Sequence, residues 1–344
     1  MSINNTPVVD GRYAKQALFH GIGPQGQARL ATSRVTVVGL GALGTVIASQ
    51  LARGGVGHLR LVDRDFVELG NLQRQVLFDE HDARERLPKA IAAADRLRAV
   101  NSEITIEPFV ADVTSRNVEE LLAGSDLVLD GTDNLETRLL VNDACVQAGI
   151  PWIYGGALGS RGATMTVVPG VTACLRCMVD HAPAPGTMPS CDTEGVLAAT
   201  TGTIASLECV EALRLLTGHA PRGGVLNVDL WQREFQEAHV DRRPDCPACG
   251  ARRFEYLDGE RTAWTSVLCG RNSVQIVPPE EEEISLTDLQ RRLSAVGPVE
   301  YNGYLLTLQV QEREIVVFPT GRAIIKGTTD EAEARTLYAR YVGS

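Results

Sequence analysis

RVTVVGLGALGTVIASQLARGGVGHLRLVDRDFVELGNLQR, residues 34–74, holds the pattern that decides the fold. An apolar run, Val35 to Val38, leads into Gly39, Gly41 and Gly44 at G-x-G-x-x-G spacing. Apolar residues then recur at helical intervals through Val46, Ile47 and Leu51. A second apolar run, Leu59 to Val62, ends on Asp63. Strand, glycine turn, helix, strand and acid suit an adenosine nucleotide. Bare backbone and a helix N-terminus take phosphate, and the carboxylate takes ribose hydroxyls. Dehydrogenases carry the same pattern, so this stretch alone leaves the nucleotide open.

Outward from it, apolar runs alternate with helical periodicity. Strands are expected at 35–38, 59–62, 104–110, 126–130, 151–154 and 162–168, with helices near 43–54, 88–100, 115–123 and 134–148. Pro88 stands where a first helical residue would. This alternation predicts an α/β, Rossmann-like doubly wound, mostly parallel sheet, with ligands at the carboxyl ends of its strands. Residues 1–33 form a lead-in whose Tyr13, Leu18 and Phe19 are expected to bind a helix to the body, with Arg12 and Lys15 as its notable charges. Residues 170–202 lack periodicity, which in so long a stretch points to function or mobility. A helix is expected from Thr203 to Leu216, then strands at 225–230 and 234–240. After Arg253 come an acidic run, a helix at 286–296, strands at 304–310, 314–318 and 322–326 with a hairpin turn at Pro319-Thr320-Gly321, and a helix at 329–341. The expected domains are 1–253 and a small α+β appendix, 254–344.

The 344 residues carry a formal charge of −10, with 44% hydrophobic and 22% charged residues. Such a balance is ordinary for a soluble globular protein and argues against general affinity for nucleic acid or an anionic membrane. The N-terminus lacks a basic region followed by an apolar core, and no apolar run is long enough to span a bilayer. The expected home is the cytoplasm, where thiols stay reduced, so the eight cysteines are metal ligands, nucleophiles or core.

Asn71, Arg74 and Lys89 follow the second strand, on the rim where a triphosphate would lie. Two cations there suit a nucleoside triphosphate better than a nicotinamide dinucleotide; the competing reading is a solvated surface. The apolar run Leu127 to Leu129 ends in Asp130-Gly131-Thr132-Asp133-Asn134. Asp133 can bind Mg²⁺ beside phosphates, or merely cap the helix that starts near Asn134. No G-x-x-x-x-G-K-[ST] occurs, so this is not a P-loop. Cys174 with Cys177, and Cys246 with Cys249, form two C-x-x-C pairs that together offer four thiolates for structural zinc. Redox dithiols are the rival, but neither pair opens a helix after a strand. Cys191 stands apart before a helix, where a thiolate is a usable nucleophile. Cys145, Cys209 and Cys269 read as core.

Together these motifs, over roughly residues 8 to 250, resemble the ThiF/MoeB/HesA family, bacterial relatives of ubiquitin-activating enzymes. The resemblance implies that MgATP adenylates the C-terminal glycine of a small ubiquitin-like sulfur-carrier protein. A persulfide donor (a cysteine desulfurase or rhodanese) then converts the acyl-adenylate to a thiocarboxylate. It implies that Gly39, Gly41, Gly44, Asp63, Asn71, Arg74, Lys89 and the Asp133-Asn134 turn hold ATP, and that Asp133 meets Mg²⁺ or phosphate. It further implies zinc on the four paired cysteines and a sulfur-linked carrier on Cys191. The family's homodimers supply each site with a basic residue from the neighbour's N-terminal segment. Here the usual Arg-Tyr-x-Arg-Gln reads Arg12-Tyr13-Ala14-Lys15-Gln16, which puts Lys15 in that role. The tail from Leu268 through Gly321 to Lys326 resembles adenylyltransferases of thiamine thiazole synthesis. That favours a thiamine carrier over the molybdopterin-synthase small subunit. An NAD-dependent oxidoreductase and a scaffold that only docks a ubiquitin-like protein are the readings of other classes.

Overall fold

The computed structural model describes residues 11–179, 191–259, 265–268, 272–278 and 284–343. By their backbone contacts they divide into two compact units. The first comprises residues 11–84, 88–179 and 196–259; the second comprises 85–87, 191–195 and the described residues beyond 264.

In the first unit the elements run α1 (Ala14–Ala17), α2 (Gly23–Thr32), β1 (Arg34–Val38), α3 (Gly44–Gly54), β2 (His58–Asp63), α4 (Glu80–Arg84), α5 (Lys89–Val100), β3 (Thr105–Val110), α6 (Val118–Leu122), β4 (Leu127–Asp130), α7 (Leu135–Ala148), β5 (Trp152–Leu158) and β6 (Arg161–Val167). Then follow α8 (Leu175–Met178), α9 (Cys191–Glu194, in the second unit), α10 (Ala198–Leu216), β7 (Val225–Asp229) and β8 (Glu234–Ala238). The eight-stranded sheet has the order β3-β2-β1-β4-β5-β6-β7-β8. Strands β1 to β5 are parallel, and Val35, Val37 and Val38 are buried against Leu59, Leu61, Val62 and Leu127 to Leu129. Such near-continuous apolar strands, interrupted by Thr36 in β1 and Arg60 in β2, are what a sheet covered on both faces requires.

The chain leaves β1 toward β2 and β3, then returns to place β4 on β1's other side. Connections therefore diverge between β1 and β4, which is where such sheets open a crevice at their carboxyl ends. Val38 aligns with Val62 on one side and Asp130 on the other. Gly39, Asp63 and Gly131 consequently emerge together at that edge.

Beyond β5 the sheet becomes antiparallel. The reason is local: only Gly159 and Ser160 separate β5 from β6, and a parallel return needs a dozen residues or more. Helix α10 begins at Ala198, not at Thr203 as its periodicity suggests. Its Thr-rich first turn has weak helical propensity, but Thr200 and Thr201 are buried, and packing outweighs propensity.

The lead-in docks differently from the apolar anchor expected. Leu18 and Phe19 are 76% and 56% exposed. Ala17 and Leu30 are buried, and polar side chains add to the attachment. Gln16 and Gln27 donate to the Gly54 carbonyl at 2.7 and 3.0 Å, and Asn101 Nδ2 donates to Tyr13 Oη at 2.8 Å. Arg12 donates to the Val100 carbonyl at 2.8 Å. These groups satisfy carbonyls at the C-terminal ends of α3 and α5, which no helical N–H reaches.

The second unit holds β9 (Thr265–Leu268), β10 (Ser273–Ile276), α11 (Leu286–Leu293), β11 (Val299–Tyr301), β12 (Leu306–Val310), β13 (Arg313–Val317), β14 (Ala323–Lys326) and α12 (Glu331–Tyr341). The sheet order is β11-β12-β13-β14-β10-β9, antiparallel throughout. Leu286, Leu289 and Leu293 lie on one face of α11 and pack on the buried face of this sheet with Ala334 and Val342. The turn at 319–321 joins β13 to β14 as expected, with Gly321 at φ 78°. Arg86 belongs to this unit, held by Glu314 at 2.8 Å, and Lys326 reaches the same carboxylate at 3.2 Å.

Candidate active site

The glycine turn is shaped by backbone meeting backbone. Gly39 has φ +87°, and a Cβ there would meet Gly131 and Thr132 backbone atoms at 2.8–2.9 Å. A Cβ on Gly44 or Gly131 would strike the Gly39 carbonyl. Gly41 differs. A Cβ there would meet only the Gly131 carbonyl, at 3.6 Å. The first and third glycines thus let β1, α3 and the β4–α7 turn close together, while the second keeps an open side for a ligand. This cradle fits a nucleotide phosphate at the N-terminus of α3.

Asp63 fastens the turn. Its Oδ2 accepts from Leu40 N at 2.6 Å and its Oδ1 from Asp65 N at 2.7 Å. Burial pushes its carboxyl above the usual range, opposed by nearby Lys89 and by those two N–H groups. Each oxygen retains a lone pair for a sugar hydroxyl.

Lys89 is only 3% exposed, so the solvated-surface reading does not hold for it. Its Nζ lies 3.4 Å from Asp65 Oδ2, and its backbone N–H bonds to the Asp65 carbonyl at 2.9 Å. Asn71 is also buried and closes a turn at Leu69–Asn71, its Oδ1 accepting from Glu68 N at 3.1 Å. Arg74 is half-buried; its guanidinium donates to the Gly70 carbonyl at 3.0 Å. Asp133 is exposed, and the cap of α7 is Asn134, whose Oδ1 accepts from Glu136 N at 2.8 Å. Asp133 is therefore not spent on helix capping.

Lys15 is exposed on α1. Its neighbour Gln16 is tied to Gly54, at the end of α3 opposite the glycine turn. At a helical rise of about 1.5 Å per residue that end lies about 15 Å from Gly44. The side chain of Cys191 lies outside the described residues, as does Cys269. Cys145 and Cys209 are buried core residues, as expected.

Cys174, Cys177, Cys246 and Cys249 converge, their sulfurs all within 4.8 Å of one another. Individual Sγ–Sγ separations are 4.0, 3.6 and 3.4 Å. A tetrahedron with zinc–sulfur bonds near 2.3 Å has edges of about 3.8 Å, so the set fits that ion. The hydrogen bond from Cys174 draws the Cys246 thiol down to about 4, and the same pairing pushes Cys174 up. Asn142 Oδ1 accepts from Leu175 N at 2.9 Å, tying this cluster to α7.

Three charged residues that sequence reasoning did not single out belong to this region. Arg64 makes a paired contact with Asp112 at 3.0 and 3.1 Å. Arg138, in the first turn of α7, donates to Asp130 Oδ2 at 2.8 Å, the Thr132 carbonyl at 2.6 Å and the Gly155 carbonyl at 2.8 Å. Long side chains in a first helical turn point back toward the N-terminus, so its position there was the available signal. Glu208 is fully buried, and neither carboxylate oxygen has a hydrogen-bond partner among the described residues. Burial, with the charge of Asp130, raises its pKa well above the ordinary carboxyl value, which favours its neutral form. Its signal was a charge on the apolar stripe Ile204, Glu208, Ala212 of α10. A Cβ on Gly155 would strike this carboxyl.

The ThiF family model matches residues 13–248. A sulfur carrier protein ThiS adenylyltransferase of Bacillus subtilis is 42% identical over 97% of this chain and 99% of that protein. A SAMP-activating enzyme E1 of Haloferax volcanii is 43% identical over 70% of this chain and 88% of its own length. Among solved structures, MccB of E. coli crystallised with ATP aligns at TM-score 0.62 and 22% identity, covering 71% of this chain and 75% of MccB; it shares the fold. On these grounds the chain belongs to the ThiF family.

Proposed function

We propose that this chain is an adenylyltransferase acting on the C-terminal glycine of a ubiquitin-like sulfur-carrier protein of the ThiS type, preparing it for thiocarboxylate formation in thiamine biosynthesis. One observation carries the reading. The glycine cradle closes on the Gly131–Asp133 turn, beside Lys89, in a chain 42% identical nearly end to end to a ThiS adenylyltransferase.

The carrier's terminal carboxylate attacks the α-phosphorus of ATP. A carboxylate oxygen–phosphorus bond forms, and the bond to the bridging oxygen breaks. Pyrophosphate leaves with the electron pair. Two anions must meet, so the protein's share is charge neutralisation and alignment. Gly39, Gly41 and Gly44 receive the phosphates and Asp63 the ribose. Asn71 shapes the rim, and Asn134 caps the helix behind it. Arg74 and Lys89 offset the phosphate charge. Asp133 is the group for Mg²⁺, which supplies further charge neutralisation when bound. Lys15, on α1 beside the end of α3 opposite the glycine turn, is set apart from its own cradle, which supports a homodimer in which it serves the neighbouring copy. Cys191 acts after adenylation, in transfer of sulfur from a persulfide donor. The four paired cysteines hold structural zinc. No helix among the described residues is long and apolar enough to cross a membrane, in keeping with a cytoplasmic enzyme.

The test is carrier-stimulated exchange of labelled pyrophosphate into ATP. Exchange with a ThiS-type carrier is expected. Exchange with only the molybdopterin-synthase small subunit would move the assignment to that pathway. Tight NADH binding without ATP binding would replace it with an oxidoreductase.

A further inference from the structure

The exposed Asp133 sits on a short turn whose rigidity comes from beneath. Arg138 Nη2 spans two carbonyls, Thr132 on the turn and Gly155 on β5, while Nε holds Asp130 at the end of β4. Thr132 N and Oγ1 bond to the other Asp130 oxygen at 2.9 and 2.7 Å. The guanidinium stacks 5.1 Å from the centroid of the Tyr154 ring, and its side chain is 12% exposed. Burial disfavours a charge on neighbouring Glu208, and Asp130 is the carboxylate paired directly with the Arg138 guanidinium, at 2.8 Å.

The Thr132 carbonyl and the Asp133 N–H belong to one planar peptide unit. Fixing that carbonyl fixes the plane from which the Asp133 side chain departs. We propose that Arg138 is a positioning residue: it locks the peptide before Asp133 and so aims this carboxylate at a divalent cation bound with the nucleotide. Only a planar fork reaches the three acceptors and stacks on the ring; a lysine supplies a point charge. The proposal rests on the reading of Asp133 as the metal-binding group.

The test uses Mn²⁺ as probe, titrated by electron paramagnetic resonance into the full chain saturated with a non-hydrolysable ATP analogue. Zinc content and melting temperature are followed in parallel. Asp133→Asn is expected to weaken Mn²⁺ binding. Arg138→Lys is expected to weaken it about tenfold while zinc stays bound, the scale seen for partners that orient a ligand. Because Arg138 acts through Asp133, the double variant should bind no more weakly than Asp133→Asn. Unchanged Mn²⁺ affinity in Asp133→Asn would overturn the metal reading of Asp133 itself. A loss in Asp133→Asn with wild-type affinity in Arg138→Lys, or fully additive losses, would overturn the role of Arg138. If Arg138→Lys does not fold, Asp130→Asn loosens the same guanidinium without removing it. Wild-type Mn²⁺ affinity in that variant then overturns the proposal, and a loss absent from its combination with Asp133→Asn sustains it.

Discussion

The cysteine cluster and the proposed phosphate rim solve opposite problems. The cluster gathers four sulfurs within 4.8 Å, three of them buried, and offers nothing to a substrate. At the rim Arg74 and Asp133 reach solvent while Lys89 and Asp63 are buried just behind them. A closed site serves stability; a half-open one keeps charge available at a cost in stability. The difference teaches which substitutions should unfold the chain and which should silence it.

The largest effect is expected at the cluster. Cys246→Ser should lose zinc and most of the folding free energy that zinc supplies, since structural zinc contributes directly to folding. Metal analysis and thermal melting would show both losses together. A variant that lost zinc but kept its melting temperature would break the contrast between the two regions.

Within the rim, Lys89 and Arg74 should separate. Lys89→Ala removes the buried cation beside Asp65 and Asp63, a cost of about 3 kcal/mol for breaking a buried pair. Arg74→Ala removes only one contact to Gly70 and should change stability by less than about 0.5 kcal/mol. Both should lower pyrophosphate exchange by about 100-fold or more, the scale of a lost transition-state donor. Chemical denaturation beside exchange assays checks the split. Equal destabilisation by the two variants would erase the distinction.

A smaller effect concerns the acid behind the turn. The raised pKa of Glu208 favours its protonated form in the folded chain at pH values where the unfolded chain has released the proton. A raised carboxyl pKa favours the fold at low pH, and that advantage falls as pH rises above the ordinary carboxyl value. Glu208→Gln removes this dependence. Its stability relative to the parent should therefore grow with pH above about 4.5, at up to about 1.4 kcal/mol per unit, and stop growing above the folded pKa. Denaturation curves at pH 5 and pH 8 measure it; a constant difference would show that Glu208 is ionised when folded. Smallest of all, Cys191→Ala should leave exchange near wild type and impair only thiocarboxylate formation, measured by mass spectrometry of the carrier. Loss of exchange in that folded variant would place Cys191 in adenylation itself.

The two regions also differ in how far the sequence exposes them. Paired spacing made the four cysteines readable, because each C-x-x-C is a local unit and only their meeting depends on the fold. The glycine turn was equally local, and the register of β1 with β4 then brings Gly131 against Gly39. The Arg138 brace was not readable in this way. It joins β4, a turn and β5, and no spacing rule links residues 130, 138 and 155. Glu208 escaped for a similar reason: its neighbours Asp130, Arg138 and Gly155 come from β4, α7 and β5, and its lack of a hydrogen-bond partner among the described residues is what makes it notable. The lead-in differs from expectation because Leu18 and Phe19 are exposed while glutamines attach it to a helix end. Polar attachment to backbone carbonyls leaves no periodicity to read.

Adenylation at the half-open rim is most directly tested by carrier-stimulated exchange of labelled pyrophosphate into ATP, with zinc content held constant. The account predicts exchange that requires a carrier ending in its C-terminal glycine and that disappears in a folded, zinc-replete Arg74→Ala variant. No exchange with any sulfur carrier, or exchange that persists unchanged in Arg74→Ala, would contradict it.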